Sequence, residues 1–187
     1  MIVGLIGERG SGKTLTMAKI VKEMLKKGRT VYTNFHINKK AIDKKYHNNI
    51  KLLDNQFFKD FKTIKLYKCC LFLDEVYIYL DSRMSSTKRN RIWSYFINQT
   101  RKRDVDLYYT TQFFRQVEIR LRMNTEVFVF PTKVTIEGKI VIMNKICKFT
   151  DRLKQITTER FLGEKYFDIY DTDEIIDFDD DVTKEKK

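Results

Sequence analysis

MIVGLIGERGSGKT, residues 1–14, is the stretch from which the fold of this chain is read. Ile2 to Ile6 is a short apolar run stopped by Gly7, the pattern of a strand buried on both faces. Lys13 to Lys27 follows with Met17, Ile20, Val21 and Met24 at helical spacing, and Gly28 ends the helix. Between them Gly7-x-x-x-x-Gly12-Lys13-Thr14 has the spacing of a phosphate-binding loop. Gly7, Gly10 and Gly12 admit close backbone approaches, so consecutive N–H groups can converge on a phosphate, and the helix that starts near Gly12 aims its positive end at the same place. Glu8, Arg9, Ser11 and Leu15 complete the stretch expected to wrap a nucleotide. Lys13 is expected to bridge β- and γ-phosphates, and the Thr14 hydroxyl to hold Mg²⁺.

Thr30 to Asn34 reads as a second strand, which makes a βαβ unit of the first 34 residues. Leu71-Phe72-Leu73-Asp74-Glu75 reads as another buried strand, expected beside the first, with two acids at its carboxyl end. Asp74 suits a ligand of the Mg²⁺ shell, and Glu75 a general base that polarises water. Leu107 to Thr111 is a further strand that delivers Gln112 to the edge where ligands sit in open α/β sheets. Residues 86–102 read as a helix with Ile92, Trp93, Phe96 and Ile97 inward, and Phe114, Val117 and Leu121 as one short helix. Thr125 to Phe130 reads as a strand, and Lys133 to Ile136 and Lys139 to Ile146 flank the two-residue turn Glu137-Gly138 of a hairpin. The expected architecture is α/β: a RecA-like, mostly parallel sheet with helices on both faces and a C-terminal β-hairpin.

The net charge of +12 is unevenly spread. Residues 168–187 carry nine acids against three lysines, whereas residues 1–167 carry +18. Residues 35–68 hold nine lysines and three acids and read as a basic insertion facing solvent, with an amphipathic helix through Phe57, Phe58, Phe61 and Ile64. The division is therefore a nucleotide-binding domain over 1–167 and an acidic tail over 168–187. A body so basic attracts polyanions, nucleic acid first. Cys69, Cys70 and Cys147 lack CxxC spacing, and with His36 and His47 they make no recognisable metal motif, so they read as core residues of a reducing compartment. The apolar start is too short for a signal peptide, and no run reaches the roughly 20 residues of a membrane span. These features predict a soluble, intracellular protein.

The ordered set GERGSGKT, LFLDE and TRKRDVDLYYTTQ, followed by an Arg-rich short helix, resembles the FtsK-HerA superfamily of P-loop motor ATPases. Within it the chain is similar to the zonular occludens toxin-like branch and to genome-packaging ATPases of tailless and archaeal viruses. The similarity spans roughly residues 1–131, with a weaker echo in YDTDE at 170–174. It implies ATP hydrolysis with Mg²⁺, a homo-oligomeric ring, usually a hexamer, and double-stranded DNA, a viral genome, threaded through its centre. In that group an arginine before the Gln-bearing strand acts in trans as an arginine finger; here it falls on Arg101 or Arg103, while Arg120 and Arg122 are further candidates for charge on the transferred phosphoryl group. Arg103-Asp104 departs from the residues that often follow the arginine pair, and the choice between the two stays open. Zonular occludens toxin-like proteins commonly carry a membrane span after the ATPase part, and its absence shifts weight toward packaging. The alternatives are a factor for filamentous virion assembly or export, with virion or membrane proteins as partners, and a small-molecule kinase. The kinase is disfavoured by Glu75 directly after Asp74 and by the lack of an Arg-rich lid.

Overall fold

The computed structural model describes residues 1–53, 66–84, 87–149 and 154–170. Its strands are β1 (Ile2–Ile6), β2 (Thr30–Thr33), β3 (Ile50–Leu52), β4 (Cys69–Leu73), β5 (Val105–Thr111), β6 (Val127–Ile136), β7 (Lys139–Phe149) and β8 (Lys154–Leu162), and its α-helices are α1 (Lys13–Lys26), α2 (Lys88–Ile97) and α3 (Ile119–Asn124). One sheet runs in the order β3-β2-β4-β5-β1-β6-β7-β8. Every pairing from β3 through β6 is parallel, and the β6-β7 and β7-β8 pairings are antiparallel. The fold is that of a P-loop nucleoside triphosphatase with an antiparallel wing.

Central strands are apolar because both of their faces are covered. On one face Met17, Ala18, Val21 and Leu25 of α1 pack with Val3, Leu5, Val31 and Phe72. On the other, Trp93, Phe96 and Ile97 of α2 and Leu121 of α3 pack with Leu71, Leu73, Leu107 and Tyr109. Each such side chain contributes about 1.5–3 kcal/mol on full burial, which holds helices to both faces of the sheet.

Several sequence expectations change. The strand that ends in Asp74 is not beside β1: β5 lies between them, pairing Leu71 on one side and Ile2 on the other through Leu107. All three strands are buried along nearly their whole length, so their pattern carries no neighbour order. Residues 35–53 are not a solvent-facing insertion: Phe35, Ile37, Ile42, Ile50 and Leu53 are buried and β3 forms the sheet edge, while Lys39, Lys40, Lys44, Lys45 and Lys51 stay exposed. The helix expected through Phe57 and Ile64 lies outside the described residues. The element expected from Phe114 to Leu121 divides into a 3-10 turn, Phe114–Gln116, and α3, because the buried Glu118 carboxylate caps the Arg120 and Leu121 N–H groups and starts a new helix. The hairpin gains a third strand, β8, which the sequence reading left unassigned. After β8 a 3-10 stretch, Gly163–Ile169, crosses α1, and Tyr170 bridges to Ile37. The acidic residues beyond 170 lie outside the described residues. Among the described residues no helix is long and apolar enough to cross a membrane.

Candidate active site

The loop between β1 and α1 is shaped by its glycines. Gly12 has φ +97°, and a Cβ there would meet Ile142 Cδ1 at 2.7 Å; one on Gly7 would meet Ser11 Oγ at 2.7 Å. Ser11 N–H donates to Glu8 O at 3.2 Å, and Thr16 N–H to Gly12 O at 2.9 Å opens the helix. Gly12 offers no side-chain cap and the first turn of α1 has no acid, so its leading N–H groups face outward as an anion site. The buried Lys13 ammonium donates to Gly7 O and Glu8 O, each at 3.0 Å. Burial lowers its pKa, and the charges of Glu75 and Asp74 oppose that shift.

Across the loop, Asp74 and Glu75 leave the end of β4. Thr14 Oγ1 donates to Asp74 Oδ2 at 3.1 Å, and Thr110 Oγ1 on β5 donates to Asp74 Oδ1. The Asn34 amide, just past β2, grips the Asp74 main chain from both sides: Asp74 N–H donates to Asn34 Oδ1 at 2.7 Å and Asn34 Nδ2 donates to Asp74 O at 2.9 Å. Asn34 Nδ2 also reaches the Tyr79 hydroxyl at 3.3 Å. Glu75 adopts the left-handed conformation, φ 48° and ψ 56°, and its N–H donates to Thr110 Oγ1 at 2.8 Å. Its Oε1 accepts from Gln112 Nε2 at 3.2 Å, and Oε2 is buried with no partner among the described residues. Burial raises the Glu75 pKa, which the Gln112 hydrogen bond counters and the Asp74 charge reinforces. Burial likewise raises that of Asp74 against the pull of Thr110, Thr14 and Lys13.

Thus Gly7 to Leu15, Lys13, Thr14, Asp74, Glu75 and Gln112 converge at the carboxyl edge of the parallel strands. The arginines do not. Arg101 and Arg103 lie in the turn between α2, which ends at Ile97 rather than 102, and the start of β5. That is the amino edge of the sheet, about 20 Å along a seven-residue strand from Gln112. Arg101 is exposed, whereas Arg103 donates to Gln99 Oε1 at 2.8 and 3.1 Å and stacks over Tyr67 and Phe96. Arg120 is held by Glu118 and Ser94, and Arg122 lies over the Phe114 ring.

The sequence reading missed Asn34, Thr110 and the support given by the wing. On the wing's inner face Asn144 Oδ1 accepts from buried Thr16 Oγ1 at 3.1 Å, and Ile142 lies against Gly12. Glu159 of β8 accepts from Lys19 Nζ at 2.6 Å, and Lys19 also pairs with Glu23 at 2.7 Å.

The pair of Thr14 Oγ1 and Asp74 Oδ2 fits a hard divalent cation that takes oxygen ligands. Among the described residues there is no cluster of three or more His, Cys, Asp or Glu, so such a cation would draw its remaining ligands from phosphate and water.

Solved structures share this fold. The N-terminal domain of zonular occludens toxin from Neisseria meningitidis is similar at a TM-score of 0.58 and 20% identity, covering 91% of this chain and 98% of that one. The genome-packaging NTPase B204 of Sulfolobus turreted icosahedral virus 2, in complex with ATP-γ-S, is similar at 0.56 and 14% identity, covering 83% and 95%. The flagellar accessory protein FlaH of Methanocaldococcus jannaschii is similar at 0.57 and 13% identity, covering 84% and 88%. No curated protein sequence matches the chain. The profile of the zonular occludens toxin (Zot) family matches residues 1–173, and the chain accordingly belongs to the zonular occludens toxin family.

Proposed function

We propose that the chain is a Mg²⁺-dependent ATPase whose turnover moves DNA during the formation of a virus particle in the host cytoplasm. The observation that carries the hydrolytic part is the carboxylate pair facing the phosphate loop, with Gln112 aiming the Glu75 carboxylate. The loop N–H groups and Lys13 bind the triphosphate. Mg²⁺, when bound, would neutralise phosphate charge as a Lewis acid. Thr14 and Asp74 would hold it, Thr110 and Asn34 keep Asp74 in position, and Glu75 takes the proton of the attacking water. The raised pKa of Glu75 brings the base closer to neutral pH, where proton transfer is most effective. Glu75 directly after Asp74 speaks against transfer to a small-molecule acceptor.

DNA is the supported load because residues 1–167 carry +18 and because the similar B204 is a genome-packaging NTPase. In the packaging reading the DNA is double-stranded and a homo-oligomeric ring, a hexamer in the expected arrangement, encloses it. An arginine of a neighbouring copy, Arg101 or Arg103, would complete each site, since neither reaches the site of its own chain; Arg101→Ala should then abolish turnover with nucleotide binding intact. The family match favours a second reading, in which the same hydrolysis drives assembly or export of filamentous virions against a virion or membrane protein.

The test is steady-state ATP hydrolysis with and without duplex DNA, beside Glu75→Gln. The variant should keep nucleotide binding and lose about a thousandfold in kcat. Native hydrolysis by Glu75→Gln removes the catalytic assignment; hydrolysis that duplex DNA does not stimulate removes the packaging reading, and preferential binding of a virion or membrane protein promotes the second.

A further inference from the structure

The antiparallel wing has two faces of opposite character. Directly paired residues share a face, so Phe130, Lys145 and Thr158 form one row across β6, β7 and β8, and Thr132, Met143 and Arg160 form the next. The opposite face, with Asn144 and Glu159, packs on α1. On the first face Phe130, Ile136, Met143, Phe149 and Ile156 are 38–49% exposed, more large apolar surface than isolated residues leave by chance. Its described charged side chains are Lys139, Lys145 and Arg160, all exposed, and no described carboxylate stands among them. Glu137 sits in the turn at one end, and Glu126 at the other is bound by the Ile2 N–H and the chain's amino terminus. A line of rings, Phe114 against Phe128 at 5.2 Å and Phe128 against Phe149 at 5.6 Å, carries the surface on to Arg122, which lies over Phe114.

This combination selects a partner. An apolar protein contact would exclude cations from its centre, and here Lys145 lies in the same row as Phe130. Duplex DNA offers phosphates but keeps its bases stacked within the helix. A single strand offers both phosphates and open base faces, and every base has a π-face, so rings on a sheet give a sequence-tolerant platform. Rows on one face repeat about every 7 Å along a strand, which spreads the rings and cations over several nucleotides. We propose that this outer face binds single-stranded DNA, with bases stacked on Phe130 and Phe149 and phosphates met by Lys145, Arg160 and Lys139. The inference goes beyond the motor reading, for it concerns a surface away from the phosphate loop and needs no nucleotide.

The experiment titrates a fluorescein-labelled oligothymidylate with the full chain, without ATP, and follows anisotropy at several salt concentrations. Phe130→Leu, which keeps apolar bulk and removes the ring, should weaken binding about tenfold, and Phe130→Tyr should bind like the native chain. Lys145→Gln and Arg160→Gln, at exposed sites that put no strain on the fold, should each lower affinity and reduce the slope of log K against log salt by about 0.7. Unchanged affinity in Phe130→Leu, Lys145→Gln and Arg160→Gln overturns the proposal, as does equal affinity for a duplex with no response to Phe130→Leu. Self-association in sedimentation that Phe130→Leu abolishes also overturns it and assigns the face to contact between copies. If the oligothymidylate binds as expected while ATP is not hydrolysed, the motor reading fails and this inference stands; the converse result separates them the other way.

Discussion

The parallel half of the sheet and its antiparallel wing use strands for different ends. In β4 and β5 nearly every residue is buried from both sides, and the polar side chains, Asp74, Glu75, Thr110 and Gln112, collect where the strands stop. In β6 burial alternates over its first half and the wing is exposed along much of its length, while polar groups such as Asn144 sit in mid-strand, where they prop α1. Covering both faces locks each side chain into close packing, so the strand ends can hold polar groups in place. One-sided burial leaves a strand free to present a surface.

The comparison breaks if the strand ends tolerate change as well as the wing does. A large effect is expected at Lys13→Ala: it removes the cation proposed to meet the transferred phosphate and should cut kcat roughly 10²- to 10³-fold, read in a phosphate-release assay. Next comes Asn34→Ala, which strands the buried N–H and C=O of Asp74 without partners. Urea unfolding should report a loss of roughly 2 kcal/mol. Turnover should fall about tenfold at little changed KM, because Asp74 and Glu75 lose their seat while the phosphate loop does not.

A smaller effect is expected in the wing. Asn144→Leu leaves the buried Thr16 hydroxyl unpaired and should cost about 1 kcal/mol, while adding Thr16→Val should restore most of it, since two apolar groups need no bond. A double-mutant cycle by chemical denaturation measures the coupling. The finest adjustment is the pH profile. Burial holds the Glu75 pKa above its ordinary value and the Gln112 N–H pulls it down, so Gln112→Leu should raise it further. The base works only when ionised, so activity is lost as pH falls through the folded-state pKa; the acid limb of kcat against pH should therefore move to higher pH. An unmoved limb would detach Gln112 from the base.

What could be read in advance follows the same division. The loop between β1 and α1 was legible because the spacing of Gly7, Gly12, Lys13 and Thr14 falls between a buried apolar run and a helical pattern, and Asp74-Glu75 because the two acids end an apolar run. Strand order was not, since β1, β4 and β5 are all buried on both faces and pairing is decided by packing. Asn34 looked like an ordinary strand end; its pair of hydrogen bonds with Asp74 depends on β2 and β4 being neighbours, 40 residues apart in sequence. The place of Arg101 and Arg103 was within reach, because residues that precede a parallel strand must lie at the amino edge. The strand β8 announces itself only weakly, in Ile156-Thr157-Thr158, and its pairing with β7 is what gives Glu159 a partner in Lys19.

The left-handed backbone at Glu75 sets thermal robustness against catalysis at one residue. A side chain at φ 48° costs about 1 kcal/mol that glycine avoids, and the sharp bend is what carries the carboxylate across to Gln112. Heat selection applied without regard to turnover would favour glycine at position 75, and a library enriched for higher melting temperature should return a sturdier chain without the carboxylate proposed as its base.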